Sequence, residues 1–329
     1  MKVAVLGAGG YAGSELLRLL TDHPGVSALW AVRRGEEARS WPQLAAAPAS
    51  CTLEEAKEAD LIFMSGPHGA AQRSAGEFLD AGVSVIDLSA DFRLPEEVYA
   101  QWYGPHAAPQ LQGQAVYGFP ELDRAGIAQA RLVANPGCYV TAVTLALQPA
   151  ARAGWIAGEV VVSAASGVSG AGRNRPELSM GELAENFRPY AVTGHRHLPE
   201  MERNLKACGY SGPLLFLPHL LPMARGILAS ISFQPSRQLE EQELFALYQE
   251  AYAGESFLRV QQELPETKAT LGSNRCDLSL RSDPHSGRVL VFAALDNLVK
   301  GAAGQAIQNF NLMCGLPETS GLPRAGLWP

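Results

Sequence analysis

Short apolar runs recur through the first 140 residues, and helical patterns separate them. "KVAVL" (2–6) is apolar after its lysine, and "SELLRLLTDH" (14–23) then sets its leucines at helical spacing. The strand signal returns in "VSALWAV" (26–32), "ADLIFMS" (59–65), "VSVIDLS" (83–89) and "ARLVANPG" (130–137), and the helical signal in "GAAQRSAGEFLDAG" (69–82). Runs that are apolar throughout belong to strands buried on both faces. Helices between them predict a parallel sheet with right-handed crossovers. Beyond about residue 150 the pattern changes. "EVVVSAASGVSG" (159–170), "GILASISFQ" (226–234), "RCDLSLRS" (275–282) and "GRVLVFAALDN" (287–297) are strand-like without a helix after each. They predict a second, α+β domain with an antiparallel or mixed sheet. Helices are expected at about 239–252 and 301–313.

A chain of 329 residues has room for two cores. Its 47% hydrophobic and 18% charged content is that of a globular protein, and a net charge of -7 disfavours nucleic acid as the main partner. The chain opens directly on a strand, so no signal peptide is expected. The most apolar stretch, "GPLLFLPHLLPMARGILASISF" (212–233), is interrupted by prolines, a histidine and an arginine, which argues against a membrane span. The five cysteines (Cys51, Cys138, Cys208, Cys276, Cys314) are odd in number, far apart and without a C-x-x-C. That usage predicts free thiols in a reducing cytoplasm, with no metal site.

"VAVLGAGGYAGSELLRLL" sets Gly7, Gly9, Gly10 and Gly13 between the first strand and the first helix. Small residues there let the backbone approach a pyrophosphate, which the helix N-terminus holds. The strand–turn–helix context makes dinucleotide binding the preferred reading over a merely tight turn. At the end of the second strand, Arg33 and Arg34 occupy the place where an acidic residue would bind the 2′-hydroxyl of NAD; Glu36 and Glu37 come late. Arginine suits a 2′-phosphate, so NADP is favoured over NAD.

Cys138 follows the break Pro136-Gly137 and opens an apolar helix. Most free cysteines are small buried hydrophobes. A thiol at a helix N-terminus, beyond the carboxyl end of a parallel strand, is placed instead to ionise and attack. A thiol beside a nicotinamide suggests a thioester reduced by hydride, and that chemistry needs a proton donor. In "TGHRHLPEMERNL", His195 and His197 flank Arg196 just before a helix expected to start at Leu198-Pro199, with Glu200 in its first turn. One histidine could act as acid/base and the arginine could bind an anion; an exposed polar turn is the bland alternative. His219 is a third candidate, whereas His23, His68, His106 and His285 have no obvious partners. "SAASGVSGAGRNR" (163–175) reads either as an anion-binding nest or as a linker.

These motifs resemble those of the N-acetyl-gamma-glutamyl-phosphate reductase family, in the aspartate-semialdehyde dehydrogenase superfamily. The similar pieces run from end to end: "GAGGYAGSELLRLL", "DLSADFRL", "YGFPEL", "NPGCYVTA", "SGVSGAGR", "PHLLPMARGIL" and "DNLVKGAAGQAIQN" among them. The resemblance implies an α/β fold: a Rossmann-type doubly wound parallel sheet plus an α+β substrate and oligomerisation domain of the glyceraldehyde-3-phosphate dehydrogenase-like type. It implies an NADP-binding domain over 1–137 and 297–329, a catalytic domain over 138–296, and a last helix that returns to the first domain. The implied activity is cytoplasmic, NADPH-dependent reduction of N-acetyl-L-glutamyl 5-phosphate in arginine biosynthesis by a dimer or tetramer. Carried over by position, Cys138 is the nucleophile and His195 the acid/base, with His197 as alternative and Glu200 as orienting carboxylate. Gly10, Tyr11, Ala12 and Gly13 form the phosphate turn, joined by Gly7, Gly9, Arg33, Arg34 and Ser65 as cofactor contacts. Arg93, Ser166, Ser169, Arg173 and Arg196 are the implied substrate contacts. Leu198 departs from the family, which has threonine after "HRH". The rivals are aspartate-semialdehyde dehydrogenase, a reductase of carrier-protein-linked aminoadipyl phosphate, and an NADP sensor without catalysis.

Overall fold

The computed structural model describes residues 1–33, 41–173 and 179–328. They divide into two compact units, Met1–Pro136 with Ala302–Leu322, and Gly137–Gly301 with Pro323–Pro329.

The first unit holds strands β1 (Lys2–Leu6), β2 (Ala28–Val32), β3 (Ala49–Cys51), β4 (Leu61–Met64), β5 (Ser84–Asp87), β6 (Val116–Tyr117) and β7 (Leu132–Ala134). All are parallel, in the order β3-β2-β1-β4-β5-β7-β6. This is a doubly wound sheet whose strand order reverses between β1 and β4, where ligands of such sheets bind. The apolar runs explain the register: Val3 to Leu6, Leu61 to Met64 and Leu132 to Ala134 are all buried. Burial on both faces requires helices on both, and Tyr11–Leu20 and Ala71–Asp80 follow β1 and β4 as the pattern predicts. Strands β3 and β6, of three and two residues, are too short to carry a periodicity and were not foreseen. The helix Gly304–Met313 belongs to this unit, where it packs on β5 and on the helices Tyr11–Leu20 and Pro120–Gln129.

The second unit has a mixed sheet of β8 (Ile156–Gly167), β9 (Arg188–Pro189), β10 (Leu214–Leu221), β11 (Ile227–Pro235), β12 (Leu258–Val260), β13 (Cys276–Asp283) and β14 (Arg288–Leu295). The order is β12-β13-β14-β11-β8-β10-β9, with β8–β10 and β12–β13 parallel and the remaining pairs antiparallel. One face lies under the helix Cys138–Arg152, which is buried from Tyr139 to Ala151. The proline-interrupted apolar stretch forms β10 and β11; among the described residues no helix is long and apolar enough to cross a membrane. Of the two expectations for this stretch, the strand holds over 163–167, which extend β8, and the loop does not; Val168–Ala171 is a single 3-10 turn. The small residues serve packing there, because a Cβ on Gly167 would come within 2.7 Å of the Arg225 backbone nitrogen. Only the end of that stretch remains for an anion nest, and residues 174–178 lie outside the described residues.

Candidate active site

In the first unit, β1 runs into a turn that is nearly all backbone. Gly7 has φ +82°, and a Cβ on it would stand 2.3 Å from the Ser65 carbonyl oxygen; one on Gly13 would stand 2.3 Å from the Gly7 oxygen. A side chain at Gly7 is therefore excluded both by conformation and by space, and one at Gly13 by space alone. Gly10 caps the helix Tyr11–Leu20 in an extended conformation, with no side-chain cap. Its N–H donates to the Gly7 carbonyl and its carbonyl accepts from Ser14, both at 2.9 Å. Gly9 is buried, Ala12 is half-buried and Tyr11 is exposed. A bare cradle leading to an uncapped helix N-terminus, at the reversal of strand order, fits the pyrophosphate of a dinucleotide. Ser65 follows β4 and binds β1 through its N–H to the Leu6 carbonyl at 2.9 Å. Arg33 follows β2 with an exposed side chain; Arg34, like Glu36 and Glu37, lies outside the described residues.

Arg93 is buried, and its guanidinium donates to the carbonyls of Asn135 and Leu88, both at 2.7 Å. Asn135 in turn takes the Asn309 amide on its Oδ1 at 3.0 Å and donates to the Ala302 carbonyl at 3.1 Å. Three histidines expected to lack partners have them. His23 bonds Asn311 and the Ser320 carbonyl, His68 pairs with Asp91 at 2.9 Å, and His106 meets the Asp91 carbonyl at 2.7 Å. Their partners lie far along the chain or in turns, where no spacing rule points to them.

In the second unit, Cys138 is the first residue of its helix and partly exposed, whereas Cys51, Cys208 and Cys276 are buried. Gly137 caps this helix, again in an extended conformation and without a side-chain cap of its own. The Glu200 carboxylate, itself buried, accepts the Gly137 N–H at 3.0 Å. The His197 ring occupies the space a Gly137 side chain would need: a Cβ there would stand 2.5 Å from Nε2. So one imidazole sits against the residue that precedes the thiol.

His195 sits in an aromatic box. Its ring lies 5.6 Å from Tyr139, 5.5 Å from Tyr190 and 5.1 Å from Phe216, each close to edge-on. Its Nδ1 accepts the His197 backbone N–H at 3.1 Å, which leaves the proton of the neutral ring on Nε2. Nε2 faces the Tyr190 hydroxyl at 3.3 Å. Tyr190 donates onward to Tyr139 at 3.3 Å, and Tyr139 to the His219 carbonyl at 3.1 Å. Burial pushes the His195 pKa down to about 4, so the ring is neutral at physiological pH. Burial likewise pushes both phenols up.

His219 lies in β10 with its ring on Phe187. Ser166 is buried at the end of β8, its hydroxyl on the Gly167 carbonyl. Ser169 is buried and accepts from Asn297 at 2.9 Å, while Arg173 and Arg196 are exposed. Tyr139, Tyr190 and Phe216 were not singled out from sequence as site residues; aromatic residues scattered over 78 positions carry no spacing signal.

The comparisons with known proteins bear on the family and the fold. The description "Semialdehyde dehydrogenase, NAD binding domain" matches residues 2–130, and "Semialdehyde dehydrogenase, dimerisation domain" matches residues 138–297. The chain is 51% identical to an N-acetyl-gamma-glutamyl-phosphate reductase from Thermus thermophilus, over 99% of this chain and 100% of the relative. It is 45% identical to one from Citrifermentans bemidjiense over the whole of both. In fold it resembles aspartate semialdehyde dehydrogenase II from Vibrio cholerae, with a TM-score of 0.74 at 19% identity over 95% of this chain and 98% of that one. An aspartate semialdehyde dehydrogenase with NADP from Candida albicans gives 0.66 at 16% identity, over 95% and 98%.

Proposed function

We propose a reaction from one premise: the chain belongs to the semialdehyde dehydrogenase family, on the branch of the N-acetyl-gamma-glutamyl-phosphate reductases. It reduces N-acetyl-L-glutamyl 5-phosphate to N-acetyl-L-glutamate 5-semialdehyde, with release of phosphate, as a step of arginine biosynthesis. The cofactor is NADP(H), and the glycine cradle of residues 7–13 holds its pyrophosphate, with Ser65 behind it; Arg33 is the described residue proposed for the 2′-phosphate. When bound, NADPH supplies the hydride.

The observation that carries the catalytic reading is Cys138 at the glycine-capped start of a helix, with His197 packed on the preceding residue. The helix N-terminus favours thiolate, which is the nucleophile. Cys138 sulfur attacks the acyl carbon; the bond to phosphate breaks, and phosphate leaves with a proton from solvent. The thioester carbon accepts hydride, and His197 gives a proton to its oxygen. As the C–S bond breaks, His197 takes that proton back and the aldehyde departs, restoring the thiolate. This assigns the acid/base to His197 in preference to His195. A ring held neutral down to about pH 4, with its one proton turned to Tyr190, is a poor source of protons. His195 holds the His197 backbone, and Glu200 holds Gly137. Ser166, Ser169, Arg173 and Arg196 are the proposed substrate contacts; the contacts of Arg93 with the Asn135 and Leu88 carbonyls support a role in holding the turn that leads to Cys138.

The working form is a homo-oligomer in the cytoplasm. Its support is the sheet face turned away from the Cys138 helix, where Val161, Ala165, Leu228, Leu290 and Phe292 are only half-buried. A second copy of that face would cover it.

The reaction is tested in reverse. N-acetylglutamate semialdehyde, NADP and phosphate are mixed with the protein, and NADPH is followed by absorbance. Phosphate-dependent formation is expected; its absence sinks the reductase reading.

A further inference from the structure

Gly301 lies in a π-helical turn, Val299–Ala303, a wide geometry that proteins use sparingly and often at functional sites. Its N–H donates to the Asp296 carbonyl at 3.0 Å, five residues back. Asp296, fully buried, fixes the turn from its side chain as well. Its Oδ1 accepts the Leu298 N–H at 2.8 Å and its Oδ2 accepts the Gly272 N–H at 2.7 Å. The consequence is a close approach. A Cβ on Gly301 would stand 2.8 Å from the Cys138 Cβ, and 3.3 Å from the Cys138 Cα and from Leu295 Cδ1. The Cys138 Cβ begins a helix that is buried from the next residue onward, so it has no route by which to retreat.

We propose that Gly301 is a positioning residue for the Cys138 thiol: its bare Cα is the wall against which the Cys138 Cβ rests, and the Asp296-held turn brings it there. It is the counterpart of Gly137, whose bare Cα seats His197. The catalytic consequence rests on Cys138 being the nucleophile. Any side chain at 301 displaces the Cβ–Sγ bond from the line of attack, while substrate and cofactor contacts stay in place.

Gly301→Ala tests this. Because a reacting atom misplaced by about 1 Å can cost on the order of 100-fold, kcat should fall by about that factor while KM stays within about twofold. Alkylation of Cys138 by iodoacetamide, which needs no substrate, should slow in parallel. The thermal midpoint should drop in Gly301→Ala, and most of the drop should go when Cys138→Gly removes the opposing Cβ. If Gly301→Ala alone does not fold, recovery of folding in the Cys138→Gly background supports the contact, and no recovery overturns it. Wild-type kcat and alkylation rate in Gly301→Ala would also overturn it, as would an equal thermal penalty in both backgrounds. Gly113→Ala, where a Cβ meets nothing within 4 Å, is the neutral control. Should the reductase reading itself fail, wild-type protein shows no phosphate-dependent turnover, while alkylation and the thermal pair still judge the contact.

Discussion

The chain makes the same junction twice: a parallel strand, a glycine cap in an extended conformation, and a helix with no side-chain cap from the cap residue itself. Gly10 (φ -78°, ψ 169°) does this after β1, and Gly137 (φ -75°, ψ 149°) after β7. The two differ in what occupies the helix N-terminus. At Gly10 the preceding turn is Gly7-Ala8-Gly9 and the approach is backbone, which fits an anion brought from outside. At Gly137 the Glu200 carboxylate already accepts the cap N–H, an imidazole fills the glycine's side-chain space, and the first helical residue is a thiol. A glycine-capped helix start is therefore a generic electrostatic device. What it can do depends on whether the space beside it is left bare or filled by the protein's own carboxylate, imidazole and thiol.

The comparison breaks most sharply at Cys138. Cys138→Ala should lower kcat by at least about 1000-fold, as removal of a nucleophile does, and leave NADPH affinity unchanged in a fluorescence titration. The opposite pattern is expected at Gly7. Gly7→Ala forces a left-handed backbone on alanine and a clash with the Ser65 carbonyl, at a cost of about 1–3 kcal/mol. NADPH affinity and the thermal midpoint should fall, while iodoacetamide still alkylates Cys138 at close to its normal rate. Glu200→Ala strands the buried Gly137 N–H, a loss of about 1–3 kcal/mol in urea denaturation. Glu200→Gln keeps an acceptor and should recover most of it. If the two variants behave alike, the cap bond is not what Glu200 contributes.

The smallest effect is one of pH. The unfolded chain protonates His195 near 6.5, whereas the folded chain resists until about 4. The unfolded state thus binds the extra proton between those values. This contribution to stability is complete above about pH 6.5 and is lost as pH falls toward about 4. Urea midpoints at pH 7 and pH 5 should separate more in wild type than in His195→Gln. Equal separation would mean that the aromatic box does not hold the ring neutral.

Much of this was legible in the sequence, and the pattern of what was missed is physical. Apolar runs announced β1, β4 and β7 because burial on both faces leaves few polar positions. The Gly7–Gly13 turn and the Pro136-Gly137-Cys138 junction were legible because glycine at fixed offsets from a strand end has few structural alternatives. The helix at Leu198-Pro199 was legible from its proline and first-turn glutamate. What stayed hidden depends on contacts between distant segments. Tyr139 and Phe216 meet His195 only through the fold, and Gly301 meets Cys138 across 163 positions. The Ser163–Gly167 segment admitted both a strand and an anion-binding loop, because small residues serve either; it forms the strand.

The central claim is that Cys138 takes the acyl group from phosphate before any hydride arrives. It is tested by mixing the protein with N-acetyl-L-glutamyl 5-phosphate without NADPH, measuring phosphate released and the mass of the Cys138 peptide. The account predicts a burst of about one phosphate per active site, as a stoichiometric acyl-enzyme requires, with the acyl group on Cys138 and no burst in Cys138→Ala. Release that awaits NADPH, or an acyl group on another residue, would contradict it.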